Sequence, residues 1–201
     1  SALVAPAATA ALETTVAAID VDNATSGNIQ ILETNAITVL QLDNDTADDN
    51  DGSTGSITLD TTNGTITVED SAAVPAGVGV TAIDGNITLN ANGTNSDLVV
   101  ENVIQTSNPG DNAVGGVTIA LSADDSVSFT AEGDVTGTGQ VAVIVTANAQ
   151  AITTAGNGGD VITMANGALI DAGSGTITLS AVAAGGGTAG GSITLGGLLT
   201  T

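Results

Sequence analysis

Gly85-Asn86-Ile87-Thr88-Leu89 decides how this chain folds. Apolar residues at 87 and 89 flank a polar one at 88, which is the period-two pattern of a strand with one buried face. A helix would need its apolar positions three and four apart. The glycine in front marks a corner where the backbone turns. The pattern returns at Gly55-Ser56-Ile57-Thr58-Leu59, Gly64-Thr65-Ile66-Thr67-Val68, Gly175-Thr176-Ile177-Thr178-Leu179 and Gly191-Ser192-Ile193-Thr194-Leu195. Looser copies begin at Gly27, Gly116, Gly139 and Gly159. Between them, residues 16–21, 36–42, 78–83, 98–101, 126–131 and 168–171 also read as short strands.

Grouping about three strands per unit places successive coils near Asn28, Ser56, Asn86, Val117, Gln140, Gly167 and Ser192. Self-similarity at roughly 20–50 residues is the signature of a solenoid, with loop insertions making the period uneven. A strand triplet buries too little to stand alone. Stacked triplets align Ile on Ile and Val on Val in a continuous interior, and pair each backbone group with the coil above and below. The expected fold is therefore all-β: a parallel β-helix (β-solenoid) of about six to seven irregular coils. At about 4.8 Å per coil this is a rod roughly 30 Å long. An antiparallel β-sandwich, as in a pilin-like subunit joined by a donated strand, is the alternative. Its core would ordinarily hold several aromatics, whereas this chain has one Phe and no Trp or Tyr.

The composition excludes many activities. The 201 residues include 22 Asp and Glu but no Lys, Arg or His, for a formal charge of −22. Nothing can neutralise phosphates, so no nucleic-acid partner is expected. Anionic membrane surfaces would repel the chain, and its longest nearly apolar stretch, 2–12, falls short of the ~20 residues of a membrane-spanning helix. With no Cys, disulfides and thiolate metal sites are impossible. General bases built on His, Schiff-base lysines and arginine clamps are equally excluded. Only carboxylates and hydroxyls remain for catalysis, and Asp124/Asp125 or Glu69/Asp70 read better as solvated corners than as a glycosidase pair. The chain is not expected to be an enzyme. It starts at Ser1 with no basic n-region, which reads as a processed chain or a piece of a longer one.

Residues 25–39 (Thr-Ser-Gly-Asn-Ile-Gln-Ile-Leu-Glu-Thr-Asn-Ala-Ile-Thr-Val), 167–179 and 191–201 resemble the repeats of giant filamentous-haemagglutinin-like surface proteins of bacteria. The resemblance covers about residues 16–201. It implies a right-handed parallel β-helix, secretion to the cell surface, and a role in adhesion or in a surface fibre. Residues 1–18 differ, being Ala-rich with Pro6 and no Gly. They read as a helix with Pro6 in its first turn, or as an extended arm that caps the first coil or links to a neighbouring subunit. The β-solenoid domain is then 19–201.

The densest chemical feature is Asp43-Asn44-Asp45-Thr46-Ala47-Asp48-Asp49-Asn50-Asp51-Gly52. Asp43, Asp45, Asp48, Asp49 and Asp51 crowd the hard oxygen donors that Ca²⁺ takes from a flexible loop ending in a glycine turn. No Glu occupies the bidentate position of an EF-hand. The bland reading is a solvated corner loop whose charge blocks edge pairing. Gly156-Asn157-Gly158-Gly159-Asp160 partly matches a calcium-binding nonapeptide repeat but reads more simply as a turn. Outward Thr58, Thr67, Thr88, Thr118, Thr178 and Thr194 suggest a ladder serving β propensity and cross-coil packing rather than ice or glycan binding.

These readings converge on a structural subunit of an extracellular filament, sheath or surface layer. Exposed strand edges pair with other chains unless capped, and head-to-tail stacking of solenoid ends is a non-closing contact that yields fibres. Deleting 192–201 is then expected to leave a soluble monomer. The alternative is a calcium-dependent adhesin stalk or glycan-binding surface module.

Overall fold

The computed structural model describes residues 11–23, 27–44, 55–70, 79–107, 116–148, 160–182 and 191–200. The described residues form strands and no helix. Seven strands make one sheet, in the order β1 (Leu12–Thr14), β3 (Ile29–Glu33), β5 (Ile57–Thr61), β8 (Ile87–Ala91), β11 (Val117–Ala123), β14 (Val141–Ala147) and β17 (Thr176–Ala181). The other sheet holds twelve strands. At its centre lies the eight-residue β4 (Ile37–Asn44), and β2 (Ala18–Asp22) pairs with β4 off this order.

Two tracks leave β4. Its first half, Ile37–Val39, pairs with β6 (Ile66–Val68), and that track continues through β9 (Leu98–Val100), β12 (Val127–Phe129), β15 (Val161–Met164) and β18 (Ser192–Leu195). Its second half, Leu42–Asn44, pairs with β7 (Val80–Ile83), followed by β10 (Ile104–Ser107), β13 (Val135–Thr138), β16 (Leu169–Asp171) and β19 (Leu198–Thr200). The chain thus visits three tracks in turn and climbs one rung per circuit. Among the described residues every strand pair is parallel, and only an isolated bridge between Gln140 and Gly173 is antiparallel. Parallel strands in curled sheets fit a parallel β-helix. They overturn the β-sandwich alternative, because hairpins would set neighbouring strands antiparallel.

The register aligns three aliphatic columns. Leu12, Ile31, Leu59, Leu89, Leu121, Val145 and Leu179 stack on the first track. Ile19, Val39, Val68, Val100, Phe129, Met164 and Leu195 stack on the second. Val21, Leu42, Val80, Ile104, Val135, Ile170 and Leu199 stack on the third. Between the ends these side chains are buried in a single cluster. The interior is narrow, since three faces share one axis, so branched aliphatics fill it and the lone Phe129 packs in register with Met164.

Two expectations need correction. The last two coil starts were misplaced. β16, beginning at Leu169, closes the circuit opened by β14 on the third track, and Ser192–Leu195 lies on the second track; β17, from Thr176, is the strand that follows β14. Strands 104–107 and 135–138, which lack the motif, were also missed. The Thr ladder is broken. Thr58, Thr88 and Thr178 share a row interrupted by Ala120 and Ile144, Thr118 belongs to the next row, and Thr67 and Thr194 lie on another track. The motif glycine sits at a bend, as at Gly64, Gly85 and Gly175, and close approach adds a second requirement. A Cβ on Gly85 would strike the carbonyl oxygen of Gly55 in the rung below, while positive φ is found at Gly27 (100°) and Gly139 (86°). Residues 12–14, within the segment read as helix or arm, are a strand of the seven-stranded sheet.

Candidate functional site: terminal rungs and a polar corner

The final rung carries the same alternation as the interior but lacks a cover among the described residues. β17, β18 and β19 each pair with the rung below only. Ile162 and Met164 are fully or almost fully buried, while Ile193 and Leu195, stacked on them in register, are 42% and 46% exposed. At the opposite end Leu12 is 61% exposed although its column partner Ile31 is buried. Ile19, Val21, Ile177, Leu179 and Leu199 are partly buried against the core. Burial thus follows position along the stack rather than side-chain type.

The corner between the first and second tracks is polar on successive rungs. In the lower part, Glu33 ends β3 with its side chain closed to solvent. Its Oε2 accepts the Thr14 hydroxyl at 2.5 Å and the Val16 N–H at 3.0 Å. Its Oε1 accepts the N–H groups of Thr34 at 2.9 Å and Asn35 at 3.1 Å. Burial raises its pKa, but those four donors outweigh burial and hold the carboxyl below its ordinary value. The cover is thin: among the described residues only the short first rung overlies it.

Higher on the same corner, carboxylates face one another. Asp125 is raised above its usual pKa, first by desolvation, then by the charge of Asp97; its bond with the Ser126 hydroxyl opposes this, and Asp160 adds a further push upward. Asp97 Oδ1 accepts the Ser126 N–H at 3.0 Å, and Asp160 accepts an Asn148 amide N–H at 3.0 Å. Asp124 is buried, with Oδ2 on the Gly93 N–H at 2.7 Å and Oδ1 without a hydrogen-bond partner. Asp124 and Asp125 are thus held by separate local partners. Among the described residues no three acidic side chains converge closely enough to hold a metal ion.

The acidic run divides. Asp43 sits on β4 in register with Asp22 and accepts a Gln41 amide hydrogen bond at 3.3 Å. Asn44, next in sequence, is buried: its Oδ1 accepts from Asn23 at 2.7 Å and its amide donates to the carbonyls of Gly27 and Ser56. It serves as a corner plug and not as a free oxygen donor. Asp45, Asp48, Asp49 and Asp51 lie outside the described residues, as do Gly156–Gly159 of the nonapeptide-like run. The Glu33 cradle was not singled out in sequence; Asp124 and Asp125 were read there as a solvated corner, whereas Asp124 is buried and Asp125 half-buried. The recurring polar residues after each first-track strand were the available signal for both.

Comparison of the chain with protein-family models, with curated proteins and with solved structures finds no match.

Proposed function

We propose that this chain is a structural, rod-forming unit: a right-handed parallel β-helix of about seven coils that stacks end on end with other copies in an extracellular filament, sheath or surface layer. One observation carries the reading. Among the described residues, aliphatic columns that are buried through the middle of the rod become exposed in its first and last rungs, at Leu12, Ile193 and Leu195. A strand edge with exposed aliphatics beside it templates further pairing. Covering a half-exposed Ile or Leu is worth about 1 kcal/mol each, and edge hydrogen bonds add direction. The contact is heterologous and does not close, so it propagates. Handedness and the surface location rest on the resemblance to filamentous-haemagglutinin-like repeats. The lack of Lys and Arg removes every trypsin site, which suits an exposed durable fibre, and leaves only carboxylates and hydroxyls for chemistry, which favours a non-enzymatic role.

Deleting 192–201 is not the clean test it first promised to be, because Ile162, Met164 and Ile170 underneath would form a new apolar end. The better variant is Ile193→Asp with Leu195→Asp, which charges the end and leaves the lower rungs intact. Electron microscopy of purified wild-type protein should show filaments, with a meridional reflection near ~4.8 Å, and the double variant should sediment as monomer. Wild-type protein that stays monomeric at millimolar concentration would sink the proposal.

A further inference from the structure

The first and last described rungs differ in charge. No Asp or Glu follows Asp171 in the sequence, so the rung built from β17, β18 and β19 is uncharged, and its outward side chains include the hydroxyls of Ser180, Thr194 and Thr200. The first rung instead presents Glu13, Asp20 and Asp22, all exposed. Inside the rod, in-register pairs set strand carboxylates beside hydroxyl, amide or apolar groups: Asp60 beside Asn90, Asp43 beside Thr81, and Asp171 between Thr136 and Thr200. Asp22 beside Asp43 is the exception among the described strand pairs. The chain has no cation to relieve such a contact, and like charges directly opposite are destabilising.

Resting on the end-stacking reading above, we infer that the joint is polar and in register: the uncharged last rung of one copy receives the acidic first rung of the next, as though it were one more internal step. The occupant of the exposed end is therefore a second copy of this chain in a defined orientation. The rows fix the partners. The outward row that starts at Glu13 ends at Ser180, and the row that starts at Asp22 ends at Thr200. Continuing each row sets the Ser180 hydroxyl beside the next copy's Glu13, and that of Thr200 beside its Asp22. The aliphatic columns continue with them, Leu179 meeting Leu12, Leu195 meeting Ile19 and Leu199 meeting Val21. First rung against first rung would instead press Glu13, Asp20 and Asp22 against their own copies.

Cysteine cross-linking tests this, because the chain has no cysteine of its own. Neighbouring in-register Cα atoms lie about 4.8 Å apart, within disulfide range. The variant Glu13→Cys with Ser180→Cys, oxidised after assembly, should run as a ladder of covalent multimers on a non-reducing gel, while each single variant stays monomeric. A second variant, Ser180→Asp with Thr200→Asp, should raise the concentration needed for polymerisation more than tenfold. Adding Glu13→Ser with Asp22→Ser should restore it to within about threefold. Covalent dimers from Ser180→Cys alone or Glu13→Cys alone would overturn the polarity. Filaments that form but do not cross-link in the double-cysteine variant would overturn the register while leaving end stacking intact. Absence of filaments in the wild type would remove both.

Discussion

Glu33 and Asp125 occupy the same corner of the rod, between the first and second tracks, and meet opposite surroundings. Glu33 receives four hydrogen bonds from a hydroxyl and three backbone N–H groups. Asp125 is desolvated beside Asp97 and Asp160 and has one hydroxyl donor in Ser126. The pKa of the first is lowered and that of the second raised. A chain without a basic side chain has two ways to place a carboxylate near its core. It can surround the group with neutral donors, or leave it to solvent and counterions. The lower corner takes the first course and ties the opening rung to the stack. The upper corner takes the second and stores repulsion.

The largest expected effect is at Glu33. Glu33→Ala removes the acceptor for Thr14 and Val16 of the first rung, and for the Thr34 and Asn35 N–H groups. With its thin cover the loss should be about 2–3 kcal/mol, seen as a lower urea midpoint, with hydrogen exchange at 14–16 accelerated far more than in β8 or β11. Uniform acceleration along the rod would mean that Glu33 does not act through the first rung. Glu33→Gln keeps one acceptor oxygen and sets an amide against the remaining donors, so about 1–2 kcal/mol is expected. It should also change the acid limb of stability. A lowered folded pKa contributes stability that is present above the unfolded value near ~4.3 and lost as pH falls through the folded one. That limb should be shallower in the Gln variant.

The fold was legible because the motif at Gly55, Gly85 and Gly175 repeats the period-two signal, and parallel stacking is how such short strands share a core. Strands 104–107 and 135–138 were missed. Each has one apolar inward residue, Ile104 or Val135, but the second, Thr106 or Gly137, is polar or small, so the alternation fades there although the neighbouring rungs dictate strand pairing. The motif suggested the ends, since 191–195 matches the interior pattern, but exposure depends on neighbours and not on residue type. The Glu33 cradle was hidden for a related reason. Three of its four donors are backbone groups, which carry no side-chain signature, and the fourth comes from a strand 19 positions earlier in the sequence.

Asp125→Asn should run opposite in sign to Glu33→Gln and be smaller. It removes the charge that Asp97 and Asp160 oppose and leaves an acceptor for the Ser126 hydroxyl, so a gain of roughly 0.5 kcal/mol is expected at pH 7. A raised folded pKa contributes stability that is fully present below the unfolded value near ~3.9 and lost as pH rises through the folded value. The advantage of the Asn variant should therefore vanish by about pH 3, where the wild-type carboxyl is protonated. A gain that persists unchanged in acid would point to better packing instead of relieved repulsion.

The smallest effect separates the two corners by salt. Repulsion among half-exposed carboxylates is screened once the Debye length shrinks from about 30 Å at 0.01 M to about 3 Å at 1 M. The difference between wild type and Asp125→Asn should thus shrink by a few tenths of a kcal/mol across that range. The difference between wild type and Glu33→Gln should hold nearly constant, because its donors are neutral groups in direct contact. Chloride melts on all three proteins at pH 7 measure both differences at once. If the Glu33 difference shrank as much as the Asp125 one, the lower carboxylate would also be held by long-range charge, and the contrast between donor-held and solvent-held corners would be lost.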